Sequence, residues 1–170
     1  MEYCKSCILP DSRPGVTLNE EGICSACIGA KEKKLEINWQ KREEQLIQVF
    51  NKHKNQSNDY DCIIPVSGGK DSTWQVHTLI NTYGLKPLAV TYKPSCRTEL
   101  GKQNLQNLIN LGVDHIDFSV NPEIERKFML KTLKKSGTAS LVQHMAIWAI
   151  TLRLAQKLGI KLVVWGENPG

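Results

Sequence analysis

The chain has 170 residues, 41% of them apolar, and 22 Lys and Arg set against 17 Asp and Glu give a net charge of +5. That composition supports one buried core and excludes an unfolded chain. No run of eighteen apolar residues exists, which excludes a membrane span, and the start MEYCKSC lacks the apolar stretch of a secretory leader, so a cytoplasmic protein is expected.

Four of the six cysteines, Cys4, Cys7, Cys24 and Cys27, fall within the first thirty residues. The two C-x-x-C pairs enclose sixteen residues, inside the interval of about fifteen to twenty over which two turns hand four thiolates to one tetrahedral zinc. Four thiolates leave no open position, so the role is structural, and the metal would supply the folding free energy that so short a segment lacks. Disulfides are the rival in an oxidising compartment. An iron–sulfur cluster uses the same ligands, and metal analysis separates it from zinc. The turn-rich stretch PDSRPG and the run NEEG between the pairs favour chain reversals over a long helix.

Residues 1–30 are therefore expected as a zinc knuckle, 31–59 as a linking helix and polar loop, and 60–170 as the main domain. Leu46, Val49 and Phe50, with Leu35 and Trp39 on a nearby stripe, give 31–53 a helical period. Beyond Asp59, short apolar runs at 62–66, 88–92, 115–120 and 161–165 read as strands. Helices are expected at 72–83, 99–111, 122–135 and 141–158, with Gly84, Gly112 and Gly159 as left-handed terminators. Alternating strands and helices predict an α/β fold, a doubly wound parallel sheet covered on both faces, with ligands beyond the carboxyl ends of the strands. The basic residues are scattered and aromatics are 6%, which argues against a nucleic-acid groove.

Where the first strand meets the first helix stands Pro65-Val-Ser-Gly-Gly-Lys-Asp-Ser72. Gly68 and Gly69 admit a phosphate close to the backbone, and the helix N-terminus favours an anion. Ser67 and Ser72 add hydroxyls, Lys70 a positive charge, and Asp71 a carboxylate suited to Mg²⁺. The Walker spacing is absent.

The run Ser67 to Ser72 resembles the PP-loop of ATP pyrophosphatases. The resemblance implies ATP and Mg²⁺ as cofactors, a sheet in the order 3-2-1-4, and a reaction that releases AMP and pyrophosphate. Together YCKSCILPDSRPGVTLNEEGICSAC, YDCIIPVSGGKDS and KLVVWGENPG resemble the N-acetyl sugar amidotransferases of lipopolysaccharide and O-antigen biosynthesis. That family turns the acetamido group of a nucleotide-activated sugar into an acetamidino group by adenylating the amide oxygen and displacing AMP with ammonia. The resemblance implies ammonia-supplying glutaminase and cyclase-like subunits as partners. It places the ATP loop on Ser67, Gly68, Gly69, Asp71 and Ser72, with Asp71 catalytic, and substrate contacts on Thr98, Glu99 and Asn104. Lys70, at a position the wider superfamily varies, is added to the loop and to catalysis, and their place after the last strand gives Gly166 to ATP and Glu167 and Asn168 to substrate. The cysteines Cys4, Cys7, Cys24 and Cys27 match its zinc ligands. Family members are roughly twice as long, so a C-terminally shortened form is expected.

Thr98 and Glu99 also suit a plain helix cap. His144, Cys62 and the four tryptophans are read as packing residues, and Cys96 as a loop thiol facing the site. A PP-loop tRNA thiolation enzyme is the nearest alternative, but no cysteine follows Cys96. A nucleotide-binding module without turnover is the second.

Overall fold

The computed structural model describes residues 1–35, 37–56 and 59–166. The chain divides into two compact units, Met1–Leu46 and Ile47–Gly170.

The first unit is built on turns. Antiparallel bridges join Tyr3 to Pro10 and Leu18 to Cys24, and Gly15 and Gly22 take left-handed backbone at φ 79° and 78°. The first loop holds the pair Cys4 and Cys7, and the second ends at Cys24. The second pair sits at the start of helix α1 (Ser25–Leu35), and α2 (Trp39–His53) follows, beginning in the first unit and ending in the second. The expected single helix over 31–53 is thus two, and the first of them starts earlier, at Ser25. Asn38 explains the second start, since its side chain accepts a bond from the Lys41 amide at 2.9 Å, in the manner of an N-cap.

In the second unit β1 (Cys62–Pro65), β2 (Pro87–Tyr92) and β3 (Asp114–Phe118) form a parallel sheet in the order β1-β2-β3, interleaved with α3 (Lys70–Asn81) and α4 (Glu99–Ile109). Helices α5 (Pro122–Ser136) and α6 (Leu141–Leu158) complete it. Alternation along the strands sorts the core onto two faces. Cys62, Ile64 and Ala89 pack with Phe50, Val76, Leu79, Leu105 and Leu108, while Ile63, Leu88, Val90 and Tyr92 pack with Ile150 and Ala155 of α6. Gly84, Gly112 and Gly159 have φ of 60°, 94° and 68°, as their places after helical runs predict.

Residues 161–165 do not form the expected fourth strand. They join the free edge of β1 by one parallel bridge, Ile63 to Val163, with Ile63 N donating to Leu162 O and Val164 N to Ile63 O, both at 3.0 Å. The next rung requires an N–H from residue 65, and Pro65 has none, so the ladder stops there. Position on the β1 edge opposite β2 still matches the anticipated 3-2-1-4 order.

The tryptophans do not pack as expected. Trp39, Trp74 and Trp148 are exposed and Trp165 is half-buried, its ring stacked on Trp148 with centroids 3.7 Å apart. Trp74 lies two residues from buried Val76, about 200° round α3 and so on the opposite side. Cys62 is fully buried, and burial followed by the neighbouring Asp61 charge pushes its thiol up to about 12, an inert core residue.

Candidate functional site

Two arrangements carry chemistry, one in each unit. In the first, the Sγ atoms of Cys4, Cys7, Cys24 and Cys27 all lie within 4.8 Å of one another. A tetrahedral zinc with Zn–S bonds of about 2.3 Å separates its sulfurs by about 3.8 Å, and Cys7 Sγ to Cys24 Sγ is 3.6 Å. Amide groups point at the sulfurs: Cys24 N to Cys4 Sγ is 3.2 Å, Ser6 N to Cys4 Sγ 3.4 Å, and Cys27 N to Cys24 Sγ 3.4 Å. Burial raises the Cys4 thiol, but the backbone donors of Cys24, Cys7 and Ser6 outweigh it and bring it down to about 6. At Cys7 the Leu9 amide lowers the thiol, yet the crowding sulfurs of Cys27 and Cys24 win and push it up to about 12. Four thiolates so close repel unless a cation joins them, and the donor set fits a closed zinc site. With every position filled by sulfur, such an ion shapes the fold and takes no substrate.

In the second unit the site is the junction of β1 and α3. Val66 N donates to Val90 O at 2.8 Å, holding the chain at the sheet end until Ser67. Gly68 then turns with φ +79°, and an added Cβ would sit 2.8 Å from the Leu105 backbone nitrogen of α4. Gly69 caps α3 and offers no side-chain acceptor of its own to the first-turn amides. Internal bonds shape the turn: Ser72 Oγ donates to Gly69 O at 3.0 Å, Thr73 Oγ1 donates to the same oxygen at 2.9 Å, and Ser67 Oγ accepts from Gly69 N at 3.3 Å. The helix begins at Lys70, two residues earlier than the pattern predicts, so Lys70 and Asp71 belong to its first turn.

Two cavities meet at Ser67. One, about 350 Å³, is lined by Ser67, Asp71, Ser72, Gln75, Trp165 and Gly166. The other, about 430 Å³, is lined by Ser67, Thr91, Cys96, Arg97, Gln143 and His144 among others. The first brings together hydroxyls, a helix N-terminus and an exposed carboxylate, a set of groups able to meet an anion and a divalent ion. Lys70 lies outside both, paired with Asp71 at 2.6 Å and facing a groove between α3 and α4. Gly166 is held against Gln75, whose Nε2 would be 2.6 Å from any Cβ there.

The remaining expected residues are dispersed. Thr98 caps α4, its Oγ1 accepting from Gly101 N at 3.1 Å, and it also edges the larger cavity. Glu99 is exposed and paired with Lys102 at 2.6 Å, and Asn104 lines the α3–α4 groove. Glu167 and Asn168 lie outside the described residues. His144 is exposed and lines the larger cavity, contrary to the packed role expected of it, because α6 turns it away from its buried residues Val142 and Ile150. Cys96 faces the same cavity, as its loop predicts.

Several lining residues escaped the sequence reading. Thr91 is the only polar residue of β2, buried at 4% exposure. Its hydroxyl donates to Val66 O at 2.9 Å, so the 2.8 Å contact with His115 Nε2 has that ring nitrogen as donor. Burial, more than the neighbouring Arg97 charge, depresses the His115 pKa, against a smaller opposing effect of Asp117. The resulting neutral Nε2–H ring ties β3 through β2 to the residue before Ser67. The 93–98 loop is pinned as well: Arg97 grips Asp117 by two bonds of 2.7 Å, Ser95 Oγ donates to buried Glu125 at 2.9 Å, and Tyr92 donates to the same carboxylate.

The Arg97 guanidinium holds the Asp117 carboxyl below the usual range, chiefly by hydrogen bonding and against a desolvation penalty. Because the folded value is depressed, the clamp is complete above the ordinary carboxylate value near pH 3.9 and is lost as pH falls through the lower folded value. Carboxyl carbon NMR should show Asp117 titrating below that ordinary value, and Arg97→Gln should return it there. Titration at the ordinary value in the unaltered chain would contradict the clamp.

No family model matches the chain. An uncharacterized protein of Methanocaldococcus jannaschii aligns at 23% identity over 168 residues, covering 97% of this chain and 58% of that protein. NMN synthetase from Francisella tularensis superposes with a TM-score of 0.53 at 19% identity, over 78% of this chain and 56% of that one. NH3-dependent NAD synthetase from Campylobacter jejuni superposes with a TM-score of 0.52 at 16% identity, over 78% and 58%. The chain thus spans less than two thirds of each protein. At these identities the likeness defines the fold alone, a parallel α/β architecture shared with these two synthetases. Among the described residues no helix is long and apolar enough to cross a membrane.

Proposed function

We propose that the chain is an ATP-dependent N-acetyl sugar amidotransferase that converts the acetamido group of a nucleotide-activated sugar to an acetamidino group. The observation that carries ATP use is the cavity where Ser67, Asp71 and Ser72 meet the uncapped N-terminus of α3. Amides and hydroxyls there suit pyrophosphate oxygens, and Asp71, 77% exposed at its side chain, would hold Mg²⁺ once freed from Lys70. ATP supplies an activated phosphorus, Mg²⁺ neutralises charge on its oxygens, and the chain's own contribution is position and oriented dipoles. The larger cavity, walled by the pinned 93–98 loop and α6, is open for the rest of the reactants.

The choice of sugar amide rests on the family resemblance of the three sequence blocks. Ammonia as the nitrogen donor agrees with the NH3-dependent synthetase among the structural likenesses. A glutaminase and cyclase-like pair would deliver it, and the four-cysteine site would hold structural zinc. The zinc knuckle over 1–30, the linking helix and loop over 31–59 and the ATP-binding domain over 60–170 belong to the same reading. So do the roles of Lys70, Gly166 and, in substrate binding, Thr98, Glu99, Asn104, Glu167 and Asn168.

The test is pyrophosphate release from ATP on adding ammonia and a UDP- or CMP-linked N-acetyl sugar. Sugar-dependent release, cut by about a hundredfold or more in Asp71→Asn, is the expected result. ATP binding with no AMP formed would favour a nucleotide-binding module instead. Release that depends on tRNA, with binding that falls steeply with salt, would favour thiolation.

A further inference from the structure

The groove between α3 and α4 is separate from the two cavities at Ser67, though Lys70 and Asn104 of the proposed reading line it. Its volume is about 510 Å³, within the usual range of small-molecule sites. Lys70, Trp74 and His77 line one wall at helical spacings of four and three, so they share a face. Asn104 and Asn107, one turn apart on α4, line the other, and Gly68 closes the end toward the phosphate loop.

Trp74 is 67% exposed, the largest apolar surface a residue can leave in water. The carboxamides of Asn104 and Asn107 and the His77 ring have no hydrogen-bond partner among the described residues. Lys70, paired with Asp71 at 2.6 Å, stands at the edge of the groove with its side chain 87% exposed. Gly68 packs close against the Leu105 backbone of α4 at this end of the groove. An aromatic platform facing two open carboxamides matches a ring with one apolar face and a rim of hydroxyls.

We infer that the α3–α4 groove is a saccharide-binding site, in which the Trp74 indole stacks on a pyranose ring while Asn104 and Asn107 hydrogen-bond its hydroxyls. At Asn104, a substrate residue of the proposed function, the inference rests on that reading and deepens it; Trp74 and Asn107 are new to it, and a glycoside offered without ATP or ammonia tests binding apart from amidine formation. The probe is methyl N-acetyl-β-D-glucosaminide, an uncharged ring without nucleotide, titrated into the full chain and followed by ¹⁵N NMR. The expected result is a saturable shift of the Trp74 indole N–H together with the Asn104 and Asn107 carboxamides. Trp74→Ala should weaken the apparent affinity about tenfold or more, and Trp74→Phe should keep most of it. The side chain is exposed, so the backbone amide spectrum of both variants should otherwise match the parent. No saturable shift, or equal affinity in Trp74→Ala, would overturn the inference. So would AMP saturating these same signals where the glycoside does not, since the groove would then be a nucleobase site.

Discussion

Replacing Cys24 by Ser should remove the metal and unfold the first unit while leaving the second intact. Cys24 has no exposed surface, and its sulfur accepts the Cys27 amide and lies 3.6 Å from Cys7 Sγ. Apart from Cys24 and Cys4, also buried, the described residues of Met1–Leu46 hold no fully buried side chain. No apolar core can then stand in for the metal, whose binding in such sites is worth on the order of 10 kcal/mol. Elemental analysis should find one zinc per chain in the parent and none in Cys24→Ser. Amide signals of 1–35 should collapse to unfolded positions, and those of 62–160 should persist. A parent that carries no metal, or dispersed signals for 1–35 in the variant, would refute the zinc knuckle. Iron with sulfide would replace zinc by a cluster.

Gly68→Ala should be the most damaging single methyl group at the β1–α3 junction. The residue combines φ +79° with backbone of α4 where a Cβ would go, 2.8 Å from Leu105 N and 3.0 Å from Leu105 Cα. Left-handed backbone costs an L-residue about 1–2 kcal/mol, and relieving the overlap adds about 1–3 kcal/mol more. Neither neighbour is a side chain that can swing aside, so the loop must move. A loss of about 2–5 kcal/mol in denaturant unfolding is expected, with ATP affinity falling at least tenfold. Gly69→Ala is the control, since its backbone is extended at φ −74° and its nearest neighbour is the movable Ser67 Oγ at 3.2 Å. Equal stability of Gly68→Ala and the parent would show that the loop is not fixed by α4.

The strand and helix alternation was legible because its signals are local. Leu141–Leu158 is found where apolar density and Gly159 place it, and β1, β2 and β3 lie within a residue or two of their apolar runs. The loop and the cysteine cluster were legible for the same reason, being compact runs of residues with few alternative uses. What failed depends on neighbours distant in sequence. The pairing of 161–165 turns on Pro65, nearly a hundred residues away, which nothing in the run itself reveals. The tryptophans carry apolar mass whatever direction they face, so composition alone assigned them to the core. Thr91 and His115 acquire their part only when β2 and β3 pair, and Lys70 pairs with Asp71 while facing the groove because the helix starts two residues sooner than expected.

Pro65 bears on more than strand count. A full rung at this position would draw 161–165 against β1 up to the sheet end, just where the smaller cavity is lined by Pro65, Ser67, Trp165 and Gly166. The ring therefore works as a stop in a zipper, leaving the last teeth apart. The gap forgoes one hydrogen bond, about 1 kcal/mol of stability, and in exchange keeps a mouth open between two strands that would otherwise close on each other.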